Sequence, residues 1–389
     1  MAFKILVVDD EPDVELLIKQ KFRRKIRDGE FEFEFARNGE EALEKMNSDH
    51  AIDIVMSDIN MPVMDGLTLL TRISSLDRIV RTVIVSAYGD MQNIRIAMNR
   101  GAYDFLTKPI DFEDFETTVQ KTIQEIKGIR EGHQVRLKLT ALESELDVAS
   151  QIQQSMLPRT FPPFPDRTEF DIYAQMTAAR SVGGDFYDFF MIDSSRLGIV
   201  IGDVSGKGVP ASIFMAVTRT LLRATAMQGT SAAECVEYVN RILFRQTDSP
   251  MFVTIFYAIL DASTGEVDYC NAGHHQPWVF SPTGDIRKGD EGVNLFAGMF
   301  EGIRYTGSKL QLAPGEGLFL YTDGVTEAFD KDGEMFESDR LAEAIQARRD
   351  APAYEIVNHV LRQVKQFSGT APQSDDVTAM AIRYLGSTD

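Results

Sequence analysis

The chain has 389 residues, 44% hydrophobic and 25% charged, which is long enough for two or three folded domains and too apolar for a disordered chain. Its 40 basic and 59 acidic residues leave a net charge of -19, a field that repels nucleic-acid phosphates and anionic lipid, so neither is expected as a partner. Cys235 and Cys270 are the only cysteines, which excludes a disulfide scaffold and fits a reducing cytoplasm. The longest apolar run, residues 251–260, is too short to span a membrane, and the opening MAFKILVVDD turns acidic where a signal peptide stays apolar. In chain order, β-rich runs at 3–8, 31–36, 52–57, 82–85 and 105–106 alternate with helical patterns. That rhythm predicts a doubly wound α/β domain with a five-stranded parallel sheet over residues 1–118. From about 111 to 157 the strand signals stop, and Ile123, Ile126 and Ile129, then Leu139, Leu142, Leu146 and Ala149, recur at spacings of three and four. Residues 119–157 therefore read as a helical, coiled-coil linker whose heptad slips at Ile152 and loosens at Gly128 and Gly132. Pro158, Pro162, Pro163 and Pro165 end the helix and open a third region, 158–389. There, strand-like runs at 198–201, 252–260, 278–281, 317–321 and 378–384 surround helical patterns at 210–227 and 232–245, which predicts an α+β domain.

In the first domain Asp9 and Asp10 follow KILVV and Asp58 follows IDIVMS, so three carboxylates sit at strand ends, where open parallel sheets bind ligands. Single acids at such positions merely cap helices; three together repel one another and suit Mg²⁺. Ser86 after TVIV and Lys108 in DFLTKP add a hydroxyl and an ammonium able to bind phosphoryl oxygens.

These segments, VVDDE, SDINMPVMDG, VSAYG and GAYDFLTKP in order, resemble the receiver domain of response regulators across residues 1–118. The resemblance implies Asp58 as phosphoacceptor, Mg²⁺ organised by Asp9, Asp10, Asp58 and the Asn60 carbonyl, phosphoryl contacts from Ser86 and Lys108, and Phe105 as the switch aromatic.

In the second domain VGGDFYD, IGDVSGKG, YTDGVTEA and QSDDVT each put an acid beside glycines or in a turn-forming segment. Asp185, Asp203, Asp323 and Asp375 or Asp376 are thus four separated acidic points, whose oxygens suit Mg²⁺ or Mn²⁺ over Zn²⁺. GDVSGKG is no nucleotide-binding loop, since Gly202 is followed by three residues before Gly-Lys and Lys207 by Gly208. His274 and His275 are adjacent, so a strand would turn them to opposite faces.

The ordered set DVASQIQQSMLP, ARSVGGDFYDFF, IGDVSGKGVPAS, NAGHHQP, LFLYTDGVTEA and SDDVTAMAIRY resembles the SpoIIE-type metal-dependent serine phosphatases of the PPM family, from about 147 to 385. The resemblance implies a β-sandwich flanked by helices and two Mn²⁺ or Mg²⁺ ions. By the same resemblance Asp203 bridges the ions, the Val204 carbonyl binds one, and Asp185, Asp323 and Asp375 complete the site, with Asp376 as the alternative. Arg180, five residues before Asp185, stands where some members carry a phosphate-binding arginine.

The combined reading is a cytoplasmic two-component response regulator, phosphorylated by a sensor histidine kinase. Its output is dephosphorylation of phosphoserine or phosphothreonine on a protein, which the resemblance identifies as a STAS-domain anti-sigma-factor antagonist. The linker's apolar face needs a partner surface, either the same helix of a second chain or the phosphatase domain, and a homodimer through the linker is the expectation. The rival reading is a phosphorylation-switched binding protein on an inactive phosphatase fold.

Overall fold

The run FKILVV lacks the apolar-polar alternation of a half-exposed strand, as expected where both faces of a parallel sheet are covered. In the computed structural model, which describes residues 2–386 except 88, 247–249, 285, 290 and 291, this run is β1 (Phe3–Val8), with Ile5, Leu6 and Val8 fully buried. β2 (Phe31–Ala36), β3 (Ile52–Asp58), β4 (Arg81–Ala87) and β5 (Asp104–Lys108) complete a sheet of order β2-β1-β3-β4-β5. Every pairing in it is parallel. Alternate residues feed two layers: Ile5, Val7, Ile54 and Val83 pack with Phe22 and Phe115, whereas Leu6, Val8 and Val55 pack with Ala42, Met46 and Leu69. The connecting helices begin where local chemistry says they should. Pro12 stands in the first turn of Pro12–Lys21, Asn38 accepts the N–H groups of Glu40 and Glu41, and Asp65 accepts that of Thr68.

Phe112–Met156 is one helix that continues through Gly128 and Gly132. Phe115, Val119, Ile123 and Ile126 are buried in the first unit's core. The sequence boundary at 118/119 thus falls inside a helix whose early turns pack beneath the sheet. Beyond them Val135, Leu139, Leu142 and Ile152 are each more than half exposed. The chain divides into two compact units, Met1–Leu142 and Glu143–Asp389.

The second unit contains β6 (Phe170–Thr177), β7 (Phe186–Met191), β8 (Arg196–Val204), β9 (Val253–Asp261), β10 (Glu266–Ala272) and β11 (Trp278–Phe280). β12 (Arg287–Lys288), β13 (Val293–Asn294), β14 (Ser308–Gln311), β15 (Gly317–Tyr321) and β16 (Val377–Tyr384) follow. They form two sheets, β13-β10-β9-β8-β7 with β14 on β10, and β12-β11-β15-β16-β6. On β15, Leu318 and Leu320 join a core shared with Ile199, Ile201 and Met380, whereas Phe319 and Tyr321 join Leu341, Ile356 and Val360 of the helices Glu337–Gln346 and Ala353–Ser368. One face of the strand thus meets the opposite sheet and the other meets helices. Helices Val209–Ala226 and Ala232–Gln246 cover the other sheet at β7, β8, β9 and β10. The result is helices, sheet, sheet, helices, the flanked sandwich that the sequence resemblance implies.

Candidate functional site

In the first unit the four strand ends β1, β3, β4 and β5 deliver Asp9 and Asp10, Asp58, Ser86 and Lys108 to one edge of the sheet. Carboxylate oxygens of Asp9, Asp10 and Asp58 all lie within 4.8 Å of one another. The Lys108 ammonium donates to Asp58 Oδ2 at 2.6 Å and lies 3.0 Å from Asp9 Oδ2 and Glu11 Oε1. Burial opposes the lysine's charge, but Asp58, Asp9 and Glu11 outweigh it and raise its pKa. Burial, with the nearby Asp58 charge, raises that of Asp9. Asn60 is exposed and its N–H donates to Asp58 Oδ1 at 3.3 Å. Ser86 is fully buried, its hydroxyl 3.4 Å from Asp90 Oδ2, while Phe105 is exposed. Tyr88 of the VSAYG segment lies outside the described residues.

In the second unit the acids come from strand ends and the segments beside them. Asp203 is the penultimate residue of β8, Asp185 immediately precedes β7, Asp323 follows β15, and Asp375 and Asp376 precede β16. Burial and then the charges of Asp323 and Asp375 push Asp203 up to about 7. Burial, Asp203 and Asp376 raise Asp185, and burial and Asp375 raise Asp323. The sequence-separated acids therefore form one electrostatic centre. Asp185 is held hardest, for the hydroxyls of Thr322 and Thr378 donate to its Oδ2 at 2.7 and 2.6 Å. Neither threonine stood out in the sequence, because their proximity to Asp185 arises only from the pairing of distant strands.

The two members of the SDDVT pair differ in what occupies them. Asp376 is buried, with Oδ1 accepting the Ala179 N–H at 2.8 Å and Oδ2 accepting the Gly184 N–H at 2.7 Å. Asp375 is partly exposed and pairs with Lys207. Glycine is required alongside them: a Cβ on Gly183 would lie 2.0 Å from Asp376 Oδ2, and one on Gly184 would lie 2.8 Å from the Val204 carbonyl oxygen. That close cradle, with its all-oxygen donors and mutually repelling carboxylates, fits hard divalent cations. Among the described residues only Asp9, Asp10 and Asp58 form a triad tight enough for a single ion; the second-unit acids are spread more widely.

Arg180 is exposed and forms no ion pair with a described residue. His274 is buried, its Nδ1 2.9 Å from the Thr254 hydroxyl, and burial with the neighbouring His275 pushes its pKa down to about 3. His275 turns the other way and stacks on Tyr321, with ring centroids 5.2 Å apart. Gln153, in the last turn of the long helix, is buried and clamps Gly183: its Nε2 donates to the Gly183 carbonyl at 2.6 Å and its Oε1 accepts the Gly183 N–H at 3.0 Å. Its place in DVASQIQQSMLP gave no hint of a backbone partner 30 residues away.

Residues 5–120 match the response regulator receiver domain family, and residues 193–385 match the family of Stage II sporulation protein E (SpoIIE). The chain is a receiver joined to a SpoIIE-type phosphatase domain. The receiver half is 35% identical to Chemotaxis protein CheY of Bacillus subtilis, over 32% of this chain and 99% of that protein. Phosphoserine phosphatase RsbU of the same organism is 27% identical over 62% of this chain and 70% of its own length. Protein IcfG of Synechocystis sp. is 33% identical over 61% of this chain, which spans only 41% of that protein. The SiaA-PP2C domain of Pseudomonas aeruginosa shares the phosphatase fold, with a TM-score of 0.57 at 21% identity, covering 63% of this chain and 98% of that domain. Among the described residues, no helix is long and apolar enough to cross a membrane.

Proposed function

We propose that the chain is a response regulator whose output is metal-dependent hydrolysis of phosphoserine or phosphothreonine on a protein. The observation that carries this reading is the gathering of Asp185, Asp203, Asp323 and Asp375 into one acidic centre beside the Val204 carbonyl, where the charge of one acid raises the pKa of another, on a domain similar to phosphoserine phosphatases. When bound, two divalent cations supply a hydroxide nucleophile at neutral pH and offset charge on the transferring oxygens. Asp203, Asp185, Asp323, Asp375 and the Val204 carbonyl would hold the ions, with Asp203 serving both. Thr322 and Thr378 occupy Asp185 Oδ2 and so orient its other oxygen. Asp376, filled by backbone N–H groups, fastens residues 179–184 to the start of β16.

On the receiver, Asp58 is assigned as phosphoacceptor, with Mg²⁺ held by Asp9, Asp10, Asp58 and the Asn60 carbonyl. Lys108, already 2.6 Å from Asp58 Oδ2, and Ser86 are assigned the other phosphoryl oxygens, and Phe105 the switch. Asp58→Asn is nearly isosteric and should abolish labelling by acetyl phosphate while leaving the thermal transition in place; persistent labelling at the wild-type level would move the acceptor elsewhere.

The proposed partners are a sensor histidine kinase, a second copy of the chain through the exposed stripe of the long helix, and a phosphorylated STAS-domain protein as substrate. The test incubates the full chain with such a phosphoprotein and Mn²⁺, with and without acetyl phosphate. Phosphate release that changes with acetyl phosphate supports the reading. No release in either condition leaves the chain as a binding protein on a phosphatase fold.

A further inference from the structure

Lys207 lies in GDVSGKG, a segment whose spacing excludes a nucleotide-binding loop, yet it carries an ammonium into the acidic centre. That ammonium donates to Asp375 Oδ2 and to the Ser374 carbonyl, each at 2.7 Å. Asp375 Oδ1 accepts the Asp376 N–H at 2.9 Å. Both oxygens of the carboxylate are therefore engaged, and Oδ2 is the one a divalent cation has to share or take. Among the described residues Lys207 is the one basic side chain ion-paired with any of Asp185, Asp203, Asp323 and Asp375.

The pair is built to open. The lysine side chain is 40% exposed and that of Asp375 34%, so water can take over both partners and the contact is weak. The residues on either side of the lysine, Gly206 and Gly208, have φ of 90° and 78°, a left-handed backbone on both flanks that sets the side chain's reach. An ammonium beside Oδ2 also repels a dication arriving there, and at such separations the repulsion is not fully screened.

Resting on the metal-centre reading above, we propose that Lys207 is a positioning residue of the phosphatase. It is a resident counter-ion that holds Asp375 at the centre and lowers the affinity for divalent cations by competing for Oδ2. Cation affinity is then set by the charge at position 207 as well as by the ligands themselves.

The experiment titrates Mn²⁺ into the full chain by calorimetry and by loss of the free-ion paramagnetic resonance signal. All proteins carry Asp9→Asn and Asp10→Asn, so that the receiver site does not contribute. Lys207→Met keeps the length of the stem and removes the charge; it should lower the Mn²⁺ dissociation constant about 3- to 10-fold, as loss of a partly exposed ion pair and its repulsion allows. Lys207→Arg keeps the charge and should stay within about twofold of the parent, and added KCl should narrow the gap between parent and Lys207→Met. Unchanged or weaker Mn²⁺ binding in Lys207→Met overturns the role of Lys207, while loss of binding in Asp203→Asn leaves the metal centre standing. If Asp203→Asn binds Mn²⁺ as tightly as the parent, the cations sit elsewhere and both readings fall.

Discussion

Asp203→Asn is expected to cut turnover of a phosphoserine protein by more than about a hundredfold, at or beyond the loss produced when an outer partner of a metal ligand is removed. The side chain keeps its volume but offers one neutral oxygen where a bridging carboxylate offers two anionic ones. Stability should move the other way. In chelator, Asp203 has a pKa near 7 from burial and the charges of Asp323 and Asp375, well above the usual 3.8. A carboxyl with a raised folded-state pKa contributes stability that is fully present below its unfolded value and lost as pH rises through its folded value. At pH 8 the ionised Asp203 therefore costs stability that asparagine does not. The variant should melt at or above the wild-type temperature in EDTA at pH 8, and its advantage should shrink at pH 6. A wild-type rate of phosphate release from Asp203→Asn would remove the binuclear mechanism, and a lowered melting temperature at pH 8 would show that the activity loss reports folding.

Asp9, Asp58 and Asp203 were legible because each stands where an apolar run stops. KILVV before Asp9, IDIVMS before Asp58 and GIVIG before Asp203 are strands in the structure, so their ends mark the sheet edges. β7 was missed as a strand for the converse reason. All of Phe186–Phe190 is buried, but Asp188 interrupts the apolar run instead of ending it, and its burial is explained only by Arg219 at 2.9 Å and Arg223 at 3.2 Å from another element. β10 mixes Asp268 and Asn271 into its run, which hides it. Helix Ala353–Ser368 had a readable signal in Ile356, Val357, Val360 and Val364, one face at helical spacing. What pattern could not supply was the support of the site. Thr322, Thr378 and Gln153 act through partners that are distant in sequence, and neither residue type nor spacing distinguishes them from ordinary surface polar groups.

Paired Leu142→Asp and Leu146→Asp substitutions should abolish self-association and flatten the response of phosphatase activity to receiver phosphorylation. Val135, Leu139, Leu142, Leu146 and Ala149 step along the long helix at intervals of four and three, the seam of a two-stranded coiled coil. The first three are more than half exposed in the single chain, so the stripe is available to a second copy. The next step of that seam is Gln153 rather than Ile152. Ile152 is exposed, whereas Gln153 is buried and bonds both backbone groups of Gly183, two residues before Asp185. A rotation or tightening of the helix pair would therefore act on the backbone that carries a proposed metal ligand. Each leucine buried in such a seam contributes about 1.5–3 kcal/mol, and an aspartate there adds the cost of an unpaired buried charge. Coupling between sites is ordinarily about 1–3 kcal/mol, or about 5- to 150-fold in the ratio of activities. In the double variant that ratio, measured with and without acetyl phosphate, should approach one while Asp58 still accepts label, and sedimentation should report a monomer. An inert spacer makes the opposite forecast: a variant that keeps both its association and its activity ratio would leave the exposed stripe without a role in signalling.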